Sequence, residues 1–323
     1  MQEKIKFKPE DFIVEEIPGR EFKERGDYLV LRLVKKNYNT EDAAQLISKK
    51  LNMPRKNIGY AGTKDRRAIT KQLISIYKGS KERILGLELK DISLEFIGYS
   101  NAPVSLGDLE GNKFIITIRN VDKEKKIQGK EKIPNYYDEQ RFSGSNARIG
   151  KHLIKKEFGE AAELLKEDYK YGETIMERLR ESPNDYINAI KTIPRKIIQI
   201  YLHAYQSLIW NKTVEKYLEK EREQEEIPIV GFATEIESEE IKKIVEIIML
   251  EENIAYRDFI LREFREISLE GNTRPLYQEI KGLEIGRLEE DEEHPGKNKV
   301  TVKFILGKGS YATITVKELL KNA

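Results

Sequence analysis

Residues 58–72, IGYAGTKDRRAITKQ, combine two glycines with a short basic run. Gly59 and Gly62 favour a loop after a short strand, and the loop leads into the basic run 64–67. Asp65 is the only acid in that run. Its basic neighbours favour the ionised carboxylate. A carboxylate opposes binding of a polyanion, so this position indicates either a catalytic group or a turn residue that tempers the local charge.

Outward from this stretch, residues 31–80 form a strongly basic segment in a nearly neutral chain. They contain twelve Lys and Arg but three Asp and Glu, a net charge of +9 against +2 for all 323 residues. Such a segment attracts nucleic acids because each neutralised phosphate releases condensed counterions. A solvated lysine-rich surface, common in heat-adapted proteins, explains the same charge. Charge alone leaves both interpretations open.

The composition excludes several classes of protein. The chain has no cysteine, which excludes disulfides, thiol catalysis and thiolate metal sites. The three histidines, at 152, 203 and 294, are too scattered to suggest a zinc-binding helix pair. No apolar run approaches the roughly 20 residues of a membrane span, and the first residues do not resemble a secretory signal. We therefore expect a cytoplasmic protein whose chemistry uses carboxylates, amines or hydroxyls.

Strand and helix patterns alternate in the first part of the chain. Residues 28–34 (YLVLRLV) are apolar and rich in strand-forming side chains, and they predict a strand. Asn39 is a candidate N-cap for a helix whose apolar residues share one face. Residues 73–77 and 114–119 predict two further strands.

The middle of the chain has a helical character, from about residue 146 to 270. One helix is predicted to begin at Pro194, because proline is tolerated in the first turn. Residues 239–250 and 256–267 predict two more helices.

Strand patterns return at the end of the chain. Residues 300–306 (VTVKFIL) and 311–316 (YATITV) alternate between apolar and polar, and each predicts a strand. Residues 288–295 (LEEDEEHP) precede them as an acidic loop. A β-rich start and end around a helical middle indicate either one sheet domain with a helical insertion or two consecutive domains.

Residues 58–72 closely resemble the catalytic motif of the TruD family of tRNA pseudouridine synthases. Segments 6–16, 111–114, 134–144 and 309–320 resemble further family motifs in the same order. The family pattern, approximately Ala-Gly-x-Lys-Asp-x-x-Ala-x-Thr-x-Gln, is matched here by Ala61, Gly62, Lys64, Asp65, Ala68, Thr70 and Gln72. The absence of Cys and the abundance of Lys, Glu and Ile suggest a thermophilic, archaeal member.

The resemblance implies an α+β fold, the pseudouridine synthase fold, in which a central and mainly antiparallel sheet is flanked by helices. It implies a discontinuous catalytic domain formed by residues 1–145 and 271–323. Residues 146–270 would form an inserted, mostly helical TRUD domain.

The implied activity is the isomerisation of one tRNA uridine, at position 13 in the family. The enzyme breaks the C1′–N1 glycosidic bond, turns the uracil and rejoins it through C5. Asp65 carries over as the nucleophile or base, and the sequence does not choose between attack at C1′ and proton abstraction at C2′. The resemblance implies tRNA as the partner, with no membrane and no protein partner. It implies no cofactor and no metal, and we expect a monomer.

Three more positions carry over from the family motifs. Lys6 is implied to lie beside Asp65, Asn112 to hydrogen-bond its carboxylate, and Phe114 to stack on the target uracil. The plainer explanations are a solvated terminal lysine, a turn residue after Gly111 and a core aromatic. The side chains expected to hold the RNA backbone are Lys64, Arg66, Arg67, Lys71 and Arg141, although a structural ion pair explains Arg141 equally well.

Two other functions are compatible with the same sequence. A noncatalytic RNA-binding or RNA-folding protein could keep this fold, but a binder has no need for a carboxylate among its cations. An RNA glycosidase or nuclease could also use a lone aspartate. A metal-dependent nuclease would need several clustered acids, and residues 31–80 contain three.

Overall fold

The computed structural model describes residues 3–219, 225–264, 267 and 269–321. The chain divides into two compact units, residues 1–133 with 278–323 and residues 134–277. The second unit is therefore an insertion in the sequence of the first. Within the described ranges, no helix is both long and apolar enough to cross a membrane.

The described strands are distributed over both units. In chain order they are β1 (Phe12–Pro18), β2 (Tyr28–Lys36), β3 (Ile58–Tyr60), β4 (Ile69–Tyr77), β5 (Ile92–Ser100), β6 (Leu109–Val121), β7 (Lys132–Pro134), β8 (Glu226–Ile229), β9 (Asn272–Pro275), β10 (Tyr277–Glu279), β11 (Lys281–Ile285), β12 (Glu289–Glu290) and β13 (Asn298–Gly307).

The described helices are concentrated in the second unit. In chain order they are α1 (Thr40–Leu51), α2 (Lys81–Leu85), α3 (Asn146–Ile154), α4 (Phe158–Lys166), α5 (Gly172–Glu181), α6 (Tyr186–Ile190), α7 (Arg195–Leu218), α8 (Glu239–Glu252) and α9 (Ala312–Leu320).

A nine-stranded sheet is the framework of the described part of the first unit. Its strands lie in the order β11-β13-β6-β1-β4-β2-β5, with β12 paired to β13 and β3 paired to β4. Strands β1 and β4 run parallel, and the other described pairs of this sheet are antiparallel. This confirms the α+β fold with a mainly antiparallel central sheet.

Helix α1 covers one face of this sheet. Side chains of strand β2 alternate between the two faces, and the apolar ones on this face pack against the helix. Leu31 and Leu33 pack into a cluster with Ala44 and Ile47 of α1, whereas Val30 packs in a separate cluster. The predicted cap of this helix is confirmed, since the Asn39 side chain accepts a hydrogen bond from the Asp42 N–H. Burying each leucine contributes roughly 1.5–3 kcal/mol.

The second unit is built around α7, which begins directly after Pro194 as the sequence predicts. Tyr205 and Trp210 of this helix are fully buried. The Trp210 indole Nε1–H donates to the Ile227 carbonyl of β8 over 3.1 Å, which satisfies a polar group inside the core. The helix predicted over 239–250 is also confirmed, as α8.

Two sequence predictions are wrong. Residues 312–316 belong to helix α9, with Tyr311 as its N-cap, and the strand interpretation fails because Thr315 and Leu319 are buried as well as the alternating residues. In place of a helix over 256–267, short 3₁₀ turns occupy Tyr256–Phe259 and Arg262–Phe264. Extended backbone at Ile260 separates the turns. Residues 265, 266 and 268 of that prediction lie outside the described ranges.

A buried arginine fixes the N-terminal segment of the first unit. The Arg119 guanidinium donates from Nε to Asp11 over 2.8 Å and from Nη1 to Asp291 over 2.7 Å. Its backbone exchanges two hydrogen bonds of 2.9 Å with Lys4. Burial opposes ionisation of Asp291, but hydrogen bonds from backbone N–H groups, His294 and Arg119 lower its pKa to about 2. Asp291, in the segment predicted as an acidic loop, therefore anchors Arg119, whereas Glu289 and Glu290 of the same segment form the exposed strand β12.

Replacing Arg119 with methionine leaves the Asp11 and Asp291 carboxylates buried without their cation. We expect the free energy of unfolding at pH 7 to fall by about 3–5 kcal/mol, the usual cost of breaking a buried ion pair. Denaturant unfolding followed by circular dichroism measures this difference.

The matched control is a triple variant that also carries Asp11→Asn and Asp291→Asn. Because the amides are neutral, we expect it to recover part of the lost stability. A single Arg119→Met variant as stable as the wild type contradicts an anchoring role for this network.

Candidate active site

Asp65 lies in the loop of residues 61–68, which joins β3 to β4 and is called the Asp65 loop below. Gln72 of β4 donates from Nε2 to the Gly62 carbonyl over 2.9 Å. The Lys64 N–H donates to Thr40 Oγ1 over 2.9 Å, and that hydroxyl donates to Gln72 Oε1 over 2.8 Å. The Asp65 loop is therefore held between the first residue of α1 and the sheet.

The Asp65 carboxylate is paired with Lys6 but remains accessible. The Lys6 ammonium donates to Asp65 Oδ2 over 2.7 Å, and the two side chains are 22% and 35% exposed. The same ammonium lies 4.3 Å from the centre of the Phe12 ring. Lys6 adopts the left-handed region at φ 57°, which is uncommon for a non-glycine residue. The ammonium thus reaches the carboxylate from a residue whose backbone conformation is strained.

A second lysine binds the backbone of Asp65 from inside the sheet. Lys35 is 1% exposed. Its ammonium donates to the Tyr38 carbonyl over 2.6 Å and to the Asp65 carbonyl over 3.2 Å. Burial lowers the pKa of Lys35 to about 8, although the charge of Asp65 works in the opposite direction. Lys35 was not among the site residues predicted from the sequence. Lys35 follows Leu31 and Leu33 at alternate positions and therefore lies on the buried face of β2. This alternation was the sequence signal that could have identified it as a buried lysine.

Lys64 forms a buried ion pair, where the sequence predicted a contact with the RNA backbone. Its ammonium lies 2.8 Å from Glu16 Oε2, with the Lys64 side chain 9% exposed and that of Glu16 fully buried. Glu16 also accepts a hydrogen bond of 3.3 Å from the Leu73 N–H. A cation so enclosed is unavailable to a phosphate, so Lys64 anchors the Asp65 loop to β1.

Phe114 lies on the same sheet face as Lys35 and Glu16. It is opposite Val14 of β1 and Phe304 of β13. Its ring centre is 6.1 Å from that of Phe12 and 5.5 Å from that of Phe304. Phe114 is 6% exposed, so most of its surface packs within the sheet face.

Asn112 lies two residues before Phe114, opposite Glu16. In the described part of the chain, its side-chain Oδ1 is buried without a hydrogen-bond partner, and so is Thr70 Oγ1. A hydrogen bond from Asn112 to the Asp65 carboxylate is not formed among these residues. Each unsatisfied buried polar group costs about 1–3 kcal/mol, so both atoms can gain from a partner on a bound molecule.

The remaining predicted cations lie on surfaces of the two units. Arg66 is exposed, with no side-chain partner in the described ranges. Arg67 donates to the Phe7 carbonyl, and Lys71 lies 3.9 Å from Glu15. Arg141 belongs to the second unit, where its Nε donates to Ser207 over 3.4 Å. Considering only described residues, no three His, Asp or Glu side chains are grouped to hold a metal ion.

Comparison with known proteins tests the expected family directly. The model of the family described as tRNA pseudouridine synthase D (TruD) matches residues 1–173, 158–227 and 213–319. The chain belongs to the TruD family. These matches together cover residues 1–319 and include the segments that carried the resemblance, except residue 320 at the end of the last one.

Archaeal members of the TruD family resemble the chain over almost its entire length. A protein of Methanocaldococcus jannaschii, named probable tRNA pseudouridine synthase D 2, is 33% identical over 97% of this chain and 90% of its own length. One from Methanosarcina acetivorans, named probable tRNA pseudouridine synthase D, is 30% identical over 97% and 91%. A crystal structure titled as a TruD protein of Methanosarcina mazei matches with a TM-score of 0.79 at 26% identity, covering 98% of this chain and 93% of that one.

The buried charge of Lys35 predicts a stability that rises with pH. Its pKa of about 8 in the folded chain lies below its ordinary value of 10.5. Between these values the unfolded chain binds the proton and the folded chain does not, so unfolding becomes harder as pH rises. We expect the unfolding free energy of the wild type, relative to Lys35→Met, to increase by about 3 kcal/mol from pH 7 to 10.5.

Urea unfolding of both proteins across this pH range measures the difference and cancels the titration of other groups. A difference that stays constant with pH would show that Lys35 has an ordinary pKa in the folded chain.

Proposed function

We propose that this chain, as a tRNA pseudouridine synthase of the TruD family, isomerises one tRNA uridine with Asp65 as the reacting group. The family implies uridine 13 as the target. The observation that carries the assignment of Asp65 is its geometry, since the carboxylate is 35% exposed and lies 2.7 Å from the Lys6 ammonium. The names of the archaeal relatives support tRNA as the substrate.

The chemistry requires an ionised carboxylate beside the ribose of the target nucleotide. In one route an Asp65 oxygen attacks C1′, and the electrons of the C1′–N1 bond leave with the uracil. The turned uracil then attacks C1′ through C5, Asp65 departs, and C5 loses its proton while N1 gains one. In the other route Asp65 removes the C2′ proton as the uracil leaves and returns it when the C1′–C5 bond forms. In this route too, C5 then loses its proton while N1 gains one. Lys6 stabilises the charged carboxylate in both routes.

The target base must leave the RNA stack before its glycosidic bond is accessible. Extrusion costs a few kcal/mol, which contacts to the extruded nucleotide must offset. We propose that Phe114 contacts the uracil through the part of its ring that stays exposed. Asn112 accepts a hydrogen bond through its unsatisfied Oδ1 when RNA is bound.

The RNA backbone is proposed to contact the exposed cations beside Asp65. Arg66, Arg67 and Lys71 fill this role in the first unit, which acts as the catalytic domain. We propose that Arg141 contacts the RNA separately, as part of the second unit, which corresponds to the TRUD domain and helps to hold the RNA. Lys64 is left out because its charge is already neutralised by Glu16. We propose a monomer that acts in the cytoplasm and requires no cofactor.

Asp65→Asn removes the charge but keeps the shape of the reacting side chain. We expect conversion of tRNA uridine to fall by at least about 10³-fold, because a neutral amide neither attacks C1′ nor accepts the C2′ proton. Chemical mapping of pseudouridine at nucleotide resolution on tRNA transcripts measures the conversion. The equilibrium dissociation constant for tRNA is expected to stay within about threefold.

Asp27→Asn is the matched control, since it removes an exposed carboxylate of the same unit. Conversion by Asp65→Asn at the wild-type rate contradicts the assigned role. Binding without conversion by the wild type, across a range of transcripts, indicates the noncatalytic RNA-binding protein. Free uracil or strand cleavage indicates a glycosidase or nuclease.

Arg66→Gln tests the proposed phosphate contacts. We expect tRNA affinity to fall about three- to tenfold and the slope of log K against log salt to decrease by about one, because one phosphate contact is lost. Both quantities are obtained from binding measured between about 50 and 300 mM KCl, a range in which such plots are linear. Lys90→Gln, at an exposed turn outside the site, is the control. An unchanged slope places the RNA elsewhere.

A further inference from the structure

We propose that Lys35 is a positioning residue for Asp65, holding its backbone from beneath while Lys6 holds its carboxylate. The inference rests on the proposed function of Asp65 and extends it to a residue that touches neither the carboxylate nor the surface. One aspartate is thus bound at both ends, at its carbonyl by a buried cation and at its side chain by an accessible one.

The contacts of Lys35 connect two separate pieces of chain. Its ammonium donates to the carbonyl of Tyr38, directly before the N-cap Asn39, and to the carbonyl of Asp65. The hydrogen bond from the Lys64 N–H to Thr40 Oγ1 joins the same two pieces again, one residue before Asp65 and two residues after Tyr38. These bonds set the distance between the Asp65 loop and the start of α1.

The position of Lys35 in the sheet keeps its ammonium in place. Lys35 is paired with Thr70 of β4 and Ile92 of β5, on the interior strand β2. Strand β2 therefore has a paired strand on each side, and the Lys35 side chain is buried on one face of the sheet. The charged and titratable groups that act on the ammonium are Asp65, which attracts it, and Lys64, which repels it.

A purely structural role accounts poorly for a charge at this site. Burying an ammonium is costly, and an apolar side chain of similar volume at a buried charged position is often neutral or stabilising. The lowered pKa of Lys35 shows that this cost is present in the folded chain. The charge is explained if its hydrogen bonds fix the Asp65 backbone, since a misplacement of about 1 Å at a reacting group can cost about 10²-fold in rate.

Lys35→Met keeps the length and volume of the side chain and removes its hydrogen bonds. We expect kcat on tRNA to fall about 100-fold while KM stays within about threefold, because the RNA contacts are untouched and the reacting geometry is not. Rates are normalised to the folded fraction, measured by circular dichroism and thermal unfolding. Lys90→Met is the matched control and is expected to keep the wild-type kcat.

Chemical rescue distinguishes hydrogen bonding from charge and from general stabilisation. Lys35→Ala leaves a space in which a small amine can replace the ammonium. We expect ethylammonium to raise its kcat at least about tenfold, because its N–H groups can donate to the two carbonyls. Tetramethylammonium carries the same charge without an N–H donor and is expected to have no effect. Neither cation should change the activity of Lys90→Met.

Each outcome decides between the alternatives. Wild-type kcat in folded Lys35→Met, or equal rescue by both cations, overturns the positioning role. If Lys35→Met does not fold, Lys35→Leu, which also lacks an N–H donor, is measured instead. A kcat of Lys35→Leu that falls by less than about tenfold then overturns the positioning role. Wild-type protein that converts no uridine overturns the proposed function instead, so the two failures are distinguishable.

Discussion

The ion pair between Lys6 and Asp65 is the contact on which the rest of the site depends. It joins residues 59 positions apart in the sequence. Both side chains are partly exposed, so close packing around them does not by itself fix their positions. The surrounding structure compensates. Parallel pairing of β1 with β4 brings the N-terminal segment beside the strand that follows the Asp65 loop. The Arg119 network then holds the segment that carries Lys6.

The first unit uses buried charges to fix geometry near its accessible carboxylate. Glu16 binds Lys64, Arg119 binds Asp11 and Asp291, and Lys35 binds two carbonyls. Such groups contribute little net stability because desolvation offsets their attraction. They are nonetheless directional, so a displaced partner loses much of the interaction. This property suits a site whose reacting group must remain exposed to a large substrate and yet occupy one position.

The sequence correctly predicted those helices and strands that depend on neighbouring residues in the chain. The alternation in β2 and the Asn39 cap of α1 were readable because side chains within a few residues determine them. The same reasoning failed for α9. The apolar alternation over residues 311–316 indicated a strand, but with Thr315 and Leu319 included the buried positions fit one face of a helix. It failed again near Ile260, where extended backbone interrupts an apolar pattern of helical spacing.

By itself the sequence determined the family, the basic character of residues 31–80 and Asp65 as the chemically distinctive residue, since these depend on composition and on a short motif. Tertiary structure decided which lysine does what. The resemblance implied that Lys6 lies beside Asp65 and that Lys64 contacts the RNA backbone, and it assigned no role to Lys35. In the structure, residues 6, 35 and 64 bind the carboxylate of Asp65, its carbonyl and the buried Glu16 respectively. The reason is physical: an ion pair depends on distance in space, and these partners are 59, 30 and 48 residues apart.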